Sequence, residues 1–531
     1  MVYIGNNGKA SVVSSIKVGD ANEKATSVIG GWIGDENGKA QQIWTLDRPF
    51  WKFTCSDRIS LTVSGKNIGI DCGDGTFMDL GNAFDETISH VFQDAETHQV
   101  TIYGVMSDIV VGPEISSIDT PFPRNKIVSF DTAFHGCTRL TSIPAGLFDN
   151  CVNVKSFASA FYGCTGITSI PAGLFDNCPN AEIFSDVFRG CTGITSIPDG
   201  LFDNCSRAQG FYSSFYGCTS ITSIPDGLFD NCTNAMGFNY TFFGCTSLTS
   251  IPDGLFDNCT NANAFECAFR SCTSITSIPA GLFDNCTNVI DFGSVFWGCT
   301  SITSIPAGLF DNCMNAQDFD GVFRGCTSLT SIPAGLFDNC TNAQDFTAAF
   351  NDCTSLTSIP AGLFDNCSRA QDFDGVFRGC TSLTSISAGL FDNCTNARSF
   401  ISTFYGCTGL TAIPDGLFDS CSNVRNFVST FYGCTGLTSI PDGLFDNCTN
   451  ATSFEGTFVG CTGLVSVAVD LFDNCRNVTS FQATFSNCRV ISSNVPELWD
   501  SSKWPSVNAH TKCFYNCTNA ANYADIPADW K

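Results

Sequence analysis

Residues 427–453 read FVSTFYGCTGLTSIPDGLFDNCTNATS, and this 27-residue unit recurs thirteen times between Phe130 and Cys488 without insertion or deletion. Its first cysteine returns at Cys137, Cys164, Cys191 and onward to Cys488. The second follows 14 residues after the first, from Cys151 to Cys475. A constant period of this length marks a solenoid, in which each unit is one coil that buries its apolar face only against its neighbours. Within the coil, Phe134-x-x-Cys137-x-x-Leu140-x-x-Ile143 is echoed by Phe148-x-x-Cys151-x-x-Val154-x-x-Phe157. Halves of 13 and 14 residues are too short to be complete coils, so the full 27 is read as one turn. The expected coil has a strand at 140–143 ended by Pro144 and a short helical turn at 146–151. Phe157 and Phe161, four apart, are expected on one helical face. Coils stacked at about 4.8 Å would build a rod or arc of roughly 60 Å.

Composition supports a continuous core: 43% of residues are hydrophobic and only 14% charged, which excludes a disordered chain. Phe is the telling excess, with 49 copies placed mostly at fixed positions of the repeat. The net charge of −26 disfavours nucleic acid and anionic lipid as partners and leaves basic surfaces and neutral glycans open. No run approaches the length of a membrane span. Met1 to Lys9 lack the basic start and apolar core of a signal peptide, so a chain beginning there is expected to bypass the ordinary secretory route. Of the 32 cysteines, 27 obey the coil period. Stacked at one coil's spacing they suit a buried, reduced thiol ladder, and their separation also allows disulfides. Cys267 lies off the pattern and reads as a free thiol. No CxxC pair suggests zinc.

Ahead of the repeat, residues 1–45 hold a smaller one: YIGNNGKASVVSSI, KVGDANEKATSVIGG and WIGDENGKAQQIW. Each pairs a β-prone piece with an Asn/Asp/Gly turn, the pattern of tight hairpins. Three such pieces make too small a sheet to stand unaided, so they are expected to fold on a partner or as copies from several chains. The segment is similar to amino-terminal repeats of tail-associated proteins from prophages, which implies attachment to a tail or baseplate protein. Residues 46–115 read as a β domain, with strand-like runs at 53–55, 59–63, 68–70 and 100–103. Asp71-Cys72-Gly73-Asp74-Gly75-Thr76, then His90-Val91-Phe92, then the run at 100–103 resemble a PKD-type immunoglobulin-like sandwich, with Cys72 where that family usually has Trp. The resemblance implies a spacer. Asp71 and Asp74 read either as a calcium site or as turn residues. Residues 116–129 are expected to cap the first coil, and 489–531, with Trp499, Trp504 and Trp530, to cap the last.

The coil itself resembles leucine-rich repeats: LTSIPAGLFDN is close to the LTSLPxGLFDxL stretch of typical members. Its F-x-x-x-F-x-G-C-T-x-L combination looks like the BspA-like repeats of bacterial surface proteins. The fold class that follows is an α/β repeat solenoid of 27-residue coils, 116–488, preceded by a small all-β immunoglobulin-like (PKD-type) domain. The resemblance implies a right-handed curved solenoid used for binding.

No catalytic constellation is visible: His90, His98, His135 and His510 are scattered, and GxSxG, HExxH and phosphate-loop patterns are absent. Enzymatic activity is not expected. Differences between coils carry more information. The two residues before the first Phe, the three between the Phe pair and the one before Gly-Cys vary. That last column reads His135, Tyr162, Arg189, Tyr216, Phe243, Arg270, Trp297, Arg324, Asn351, Arg378, Tyr405, Tyr432, Val459 and Ser486. Aromatics and Arg dominate it, the residue types enriched at binding hot spots. It reads as a ligand-binding row for sugar or protein, or as side chains that shield the coil's edge. A second column, Asp149, Asp176, Asp203 and onward to Asp473, needs its mutual repulsion offset, by calcium or by turn capping in solvent.

The assembled reading is an attachment segment, a spacer and a binding solenoid. It suggests a phage or phage-tail-like receptor-binding protein that recognises a bacterial surface protein or glycan, with residues 1–45 also offering a route to a homo-oligomer. The alternative is a BspA-type cell-surface adhesin binding host matrix or other cells. The corresponding locations are a virion tail or extracellular particle, and a bacterial cell surface.

Overall fold

The computed structural model describes residues 49–531 apart from Ala95, together with the backbone of six short strands ahead of them. Those six pair as three antiparallel hairpins: β1 (Val2–Asn6) with β2 (Lys9–Val13), β3 (Val18–Gly19) with β4 (Ala25–Thr26), and β5 (Gly31–Gly34) with β6 (Ala40–Ile43). What this segment attaches to lies outside the described residues.

Strands β7 (Phe50–Ser56), β8 (Arg58–Asp71), β9 (Phe77–Val91), β10 (Thr97–Val111) and β11 (Ile115–Ile118) form one antiparallel sheet in the order β11-β7-β10-β8-β9. Alternation sets its faces: Trp51, Phe53 and Cys55 of β7 are buried while Lys52 and Thr54 between them are partly exposed. The small all-β domain is therefore present. The second sheet that the PKD resemblance implies is not among the described residues, because the apolar face packs on the solenoid instead. Trp51 stacks on Phe122 with centroids 4.7 Å apart, and Phe122 stacks on Phe148 of the first coil at 6.0 Å. The Val111 amide donates to the Ala133 carbonyl at 2.7 Å, and Arg139 pairs with Asp57 at 2.6 Å. The sheet, with Phe122 from the connecting segment, is what covers the solenoid's open end. Asp71 and Asp74 are turn residues: their Oδ1 atoms accept from the amides of Gly73 and Thr76 at 3.0 and 2.9 Å. A hydrogen bond from His90 is the main cause holding the Asp74 carboxyl down at about 2.

Inside the coil the triplet spacing of apolar residues is a chain of tight turns. The amides of Cys137, Leu140, Cys151 and Val154 each bond the carbonyl three residues back. The helical face expected for the Phe pair is replaced by consecutive turns: Ala133 N donates to Phe130 O at 3.0 Å with Thr132 at φ +58°, and Cys137 N to Phe134 O at 3.2 Å with Gly136 at φ +72°. A positive φ at the third turn residue alone is type II geometry. It turns alternate amides outward, so Phe130, Thr132, Phe134 and Gly136 donate to carbonyls of the next coil at 2.7–2.9 Å. The run of parallel bridges also lies before the first Phe, from Ser129↔Ser156 to Ser480↔Ala509. At the expected strand, 140–143, only three coil pairs are bridged, Ser304↔Ser331, Ser358↔Ser385 and Ser439↔Ser466.

Three phenylalanine columns fill the interior. Phe130 stacks on Phe157, Phe134 on Phe161 and Phe148 on Phe175, at 5.7, 5.1 and 6.0 Å, and Phe148 meets Phe157 at a tilt with centroids 4.9 Å apart. All 32 cysteines are buried free thiols. The first column has a polar reason to be Cys: Cys164 Sγ donates to Phe134 O at 3.0 Å, and Cys191 to Phe161 O at 3.0 Å. Asparagines tie the outside, as Asn180 Nδ2 to Val152 O at 2.9 Å. At the far end the expected cap begins with one more coil, stretched to 29 residues between Cys488 and Cys517. Phe514 stacks on Phe485 at 5.7 Å, Trp504 sits edge-on to Phe481 at 5.8 Å, and the Phe514 amide donates to the Trp530 carbonyl at 2.9 Å.

Candidate binding face

The variable column sits where the second type II turn leaves the coil: in each unit it follows the buried second Phe and precedes the residue, glycine in most coils, that takes the left-handed conformation. Stacking of the turns superposes these side chains. His135 lies on Tyr162 with rings 4.7 Å apart, Arg189 lies 5.5 Å from Tyr162 and 4.1 Å from Tyr216, and Tyr216 stacks on Phe243 at 4.4 Å. Arg270 is 5.5 Å from Phe243 and 3.4 Å from Trp297, which has Arg324 on its other side at 4.2 Å. After Asn351 the stack resumes with Arg378 over Tyr405 at 4.5 Å and Tyr405 on Tyr432 at 4.6 Å. All ten candidate residues, Tyr162, Arg189, Tyr216, Phe243, Arg270, Trp297, Arg324, Arg378, Tyr405 and Tyr432, thus share one lateral edge of the solenoid.

Both readings of the column meet here. The faces of the rings and guanidiniums are used on one another, each contact contributing on the order of 0.5–2 kcal/mol. Their edges remain toward solvent: nine of the ten are half-buried and Arg378 is exposed. The arrangement is a preorganised strip of aromatic edges and guanidinium donors, with little side-chain entropy left to lose on binding.

An acidic stripe flanks it. Burial raises the carboxyls of Asp291, Asp318, Asp372 and Asp374 above the usual range. Asp320 is pushed up to about 6, mainly by burial and then by Asp345 and Asp318, with Arg324 opposing. The face is therefore mixed, and it suits a neutral or basic partner better than an anionic one.

The Asp149 column is exposed, and its carboxylates fold back over their own turns. Gly146 stands beneath the Asp149 carboxylate at φ +69°, a left-handed conformation that favours glycine. Among the described residues no group of three or more His, Cys, Asp or Glu is placed to hold a metal ion.

Two features escaped the sequence reading. The third residue between the Phe pair varies as core, not surface: Thr241, Thr403 and Thr430 are fully buried, and Thr241 Oγ1 donates to Phe211 O at 3.0 Å. The second is the break at Asn351, visible in the sequence as Asn-Asp where the neighbouring coils have Arg-Gly.

A family model described as "BspA type Leucine rich repeat region (6 copies)" matches residues 115–371 and 249–479, well over half of the chain. No curated protein matches the chain. Among solved structures, one described as "Crystal structure of TLR13-ssRNA13 complex" is 12% identical and covers 77% of this chain and 80% of that chain. Its TM-score of 0.15 is too low for the likeness to carry an argument. Its stacked 27-residue coils are the region that the family model spans, and this chain belongs to the BspA-type leucine-rich-repeat family.

Proposed function

We propose that the protein is a non-enzymatic adhesin of a bacterial cell surface, whose solenoid binds host matrix or other cells along the stacked Tyr/Arg/Trp column. The observation that carries this reading is the continuous stack from His135 to Arg324 on one edge of a rigid repeat scaffold. Family membership supports a surface-binding role. Among the described residues no helix is long and apolar enough to cross a membrane. The tail-fibre reading rests on the sequence of residues 1–45 alone, and the family match favours the adhesin.

The test is binding of residues 46–531, which keep the sheet that covers the first coil, to immobilised matrix proteins, to bacterial cells and to phage-like particles. The adhesin reading expects saturable binding to matrix proteins or to cells of other species. If the solenoid ignores these and binds one bacterial host, while residues 1–45 bind isolated particles, the receptor-binding reading replaces it.

A further inference from the structure

The stacked column is interrupted once, and the interruption is a cavity. At Asn351 the side chain is too short to reach its neighbours in the stack. The next residue, Asp352, holds the left-handed conformation at φ +59° in a position that most coils give to glycine. Together they leave a space of about 390 Å³ lined by Arg324, Asn351, Asp352, Asp374 and Arg378 among others. Asn351 is only 6% exposed, and its Oδ1 has no hydrogen-bond partner. A buried acceptor left unpaired is costly, and among the described residues no other side chain of the column carries one.

The same chain contains the filled version of this slot. Arg270 and Arg324 lie 54 residues apart, two coils, and Arg324 and Arg378 are separated by the same 54. Between the first pair sits the Trp297 indole, 3.4 Å from one guanidinium and 4.2 Å from the other. Between the second pair there is an amide and open space. Arg378 already has Tyr405 on one side at 4.5 Å, and Arg324 has Trp297. Each guanidinium thus has one π face occupied on the side away from the gap.

We propose that the slot at Asn351 receives a tryptophan or tyrosine side chain presented by a partner protein, which completes the column between Arg324 and Arg378. Guanidinium groups stack readily on aromatic faces and are weakly hydrated, so a neutral ring fits between two of them. Asp352 and Asp374 on the cavity wall oppose an anion. The left-handed, non-glycine Asp352 adds backbone strain of the kind that gathers at binding sites. This inference rests on the column being the binding face and names what that face recognises.

The probe is N-acetyl-tryptophanamide, followed by ligand-observed NMR on the full chain, with N-acetyl-glycinamide and methyl glucoside as controls. The expected result is saturable binding of the tryptophan probe alone. Asn351→Trp, which fills the slot from within, should weaken it at least about tenfold and raise the unfolding temperature. Arg378→Gln, a change at an exposed position, should weaken binding without altering the fold. Equal binding of the probe to wild type and Asn351→Trp, or binding of the glucoside in preference, would overturn the proposal. If the probe fails while the full chain still binds cells or matrix through its column, only this inference falls. If the probe binds at Asn351 while substitutions elsewhere in the column leave adhesion intact, the adhesion reading falls instead.

Discussion

Two residues after the first Phe, every coil places its backbone in the left-handed region, and only Gly321, Gly375 and Gly456 are glycine there. The others include Thr132, Asp186, Tyr240 and Ala483, at φ between 53° and 59°. Each non-glycine residue so held costs about 1 kcal/mol. The position persists because its amide bonds the next coil, as Thr132 N to Ala158 O at 2.9 Å. Replacing Ala483 with Gly is expected to stabilise the chain by about 0.5 kcal/mol, the relief of strain exceeding glycine's entropy cost. Gly190→Ala, at φ +71° with its nearest neighbour atom 3.7 Å away, should cost about 1 kcal/mol through conformation rather than clash. Guanidinium denaturation of the two variants measures both. None of this was legible in the sequence, where the left-handed position is masked by its varied side chains. The Gly of Gly-Cys, by contrast, was visible as a repeated glycine.

At the scale of the coil, burial of the cysteine columns sets the chain's response to alkali. Burial, with a lesser push from neighbouring aspartates, drives the thiols of Cys205 and Cys286 up to about 12 from an ordinary 9.0. Their folded values lie above the unfolded one, so the stability tied to the protonated thiol is intact below pH 9. It is lost as pH rises from 9 toward 12, where the unfolded chain sheds protons first. With 27 thiols in the periodic columns the loss should be steep, and unfolding temperature measured from pH 7 to 11 should fall sharply above 9. A flat profile would mean that the columns are not buried thiols. The sequence displayed much of this element: the period, the Phe and Cys columns and the capping Asn/Asp positions are where 27-residue spacing puts them. It misled on local conformation. Phe157 and Phe161, four apart, suggest a helix, yet the triplet spacing of Phe134, Cys137 and Leu140 belongs to chained turns closed by bonds three residues back. Spacing of three and four overlap in so short a segment, and only the bonds to neighbouring coils separate them.

Across the whole molecule, sheet and solenoid share one hydrophobic core, from Trp51 through Phe122 into the Phe148 column. A repeat array depends on its ends, because the outermost coil exposes a face that interior coils bury. A chain starting at residue 116 should therefore aggregate or lose its first coils, while one starting at 46 stays monodisperse in size-exclusion chromatography. Equal behaviour of the two would show that the sheet is a spacer, as its sequence resemblance suggests. The binding column was readable residue by residue. Its stacking order and its gap at Asn351 were not, because superposition depends on the turn geometry that carries each side chain outward. The most direct test of the account is a chain with Tyr216, Arg270 and Trp297 all changed to Ser, compared with the native chain for adhesion to the surface that native protein binds best. Adhesion is expected to be lost while circular dichroism and oligomeric state are unchanged. Full adhesion by the folded triple variant would contradict it and move the binding face elsewhere on the solenoid.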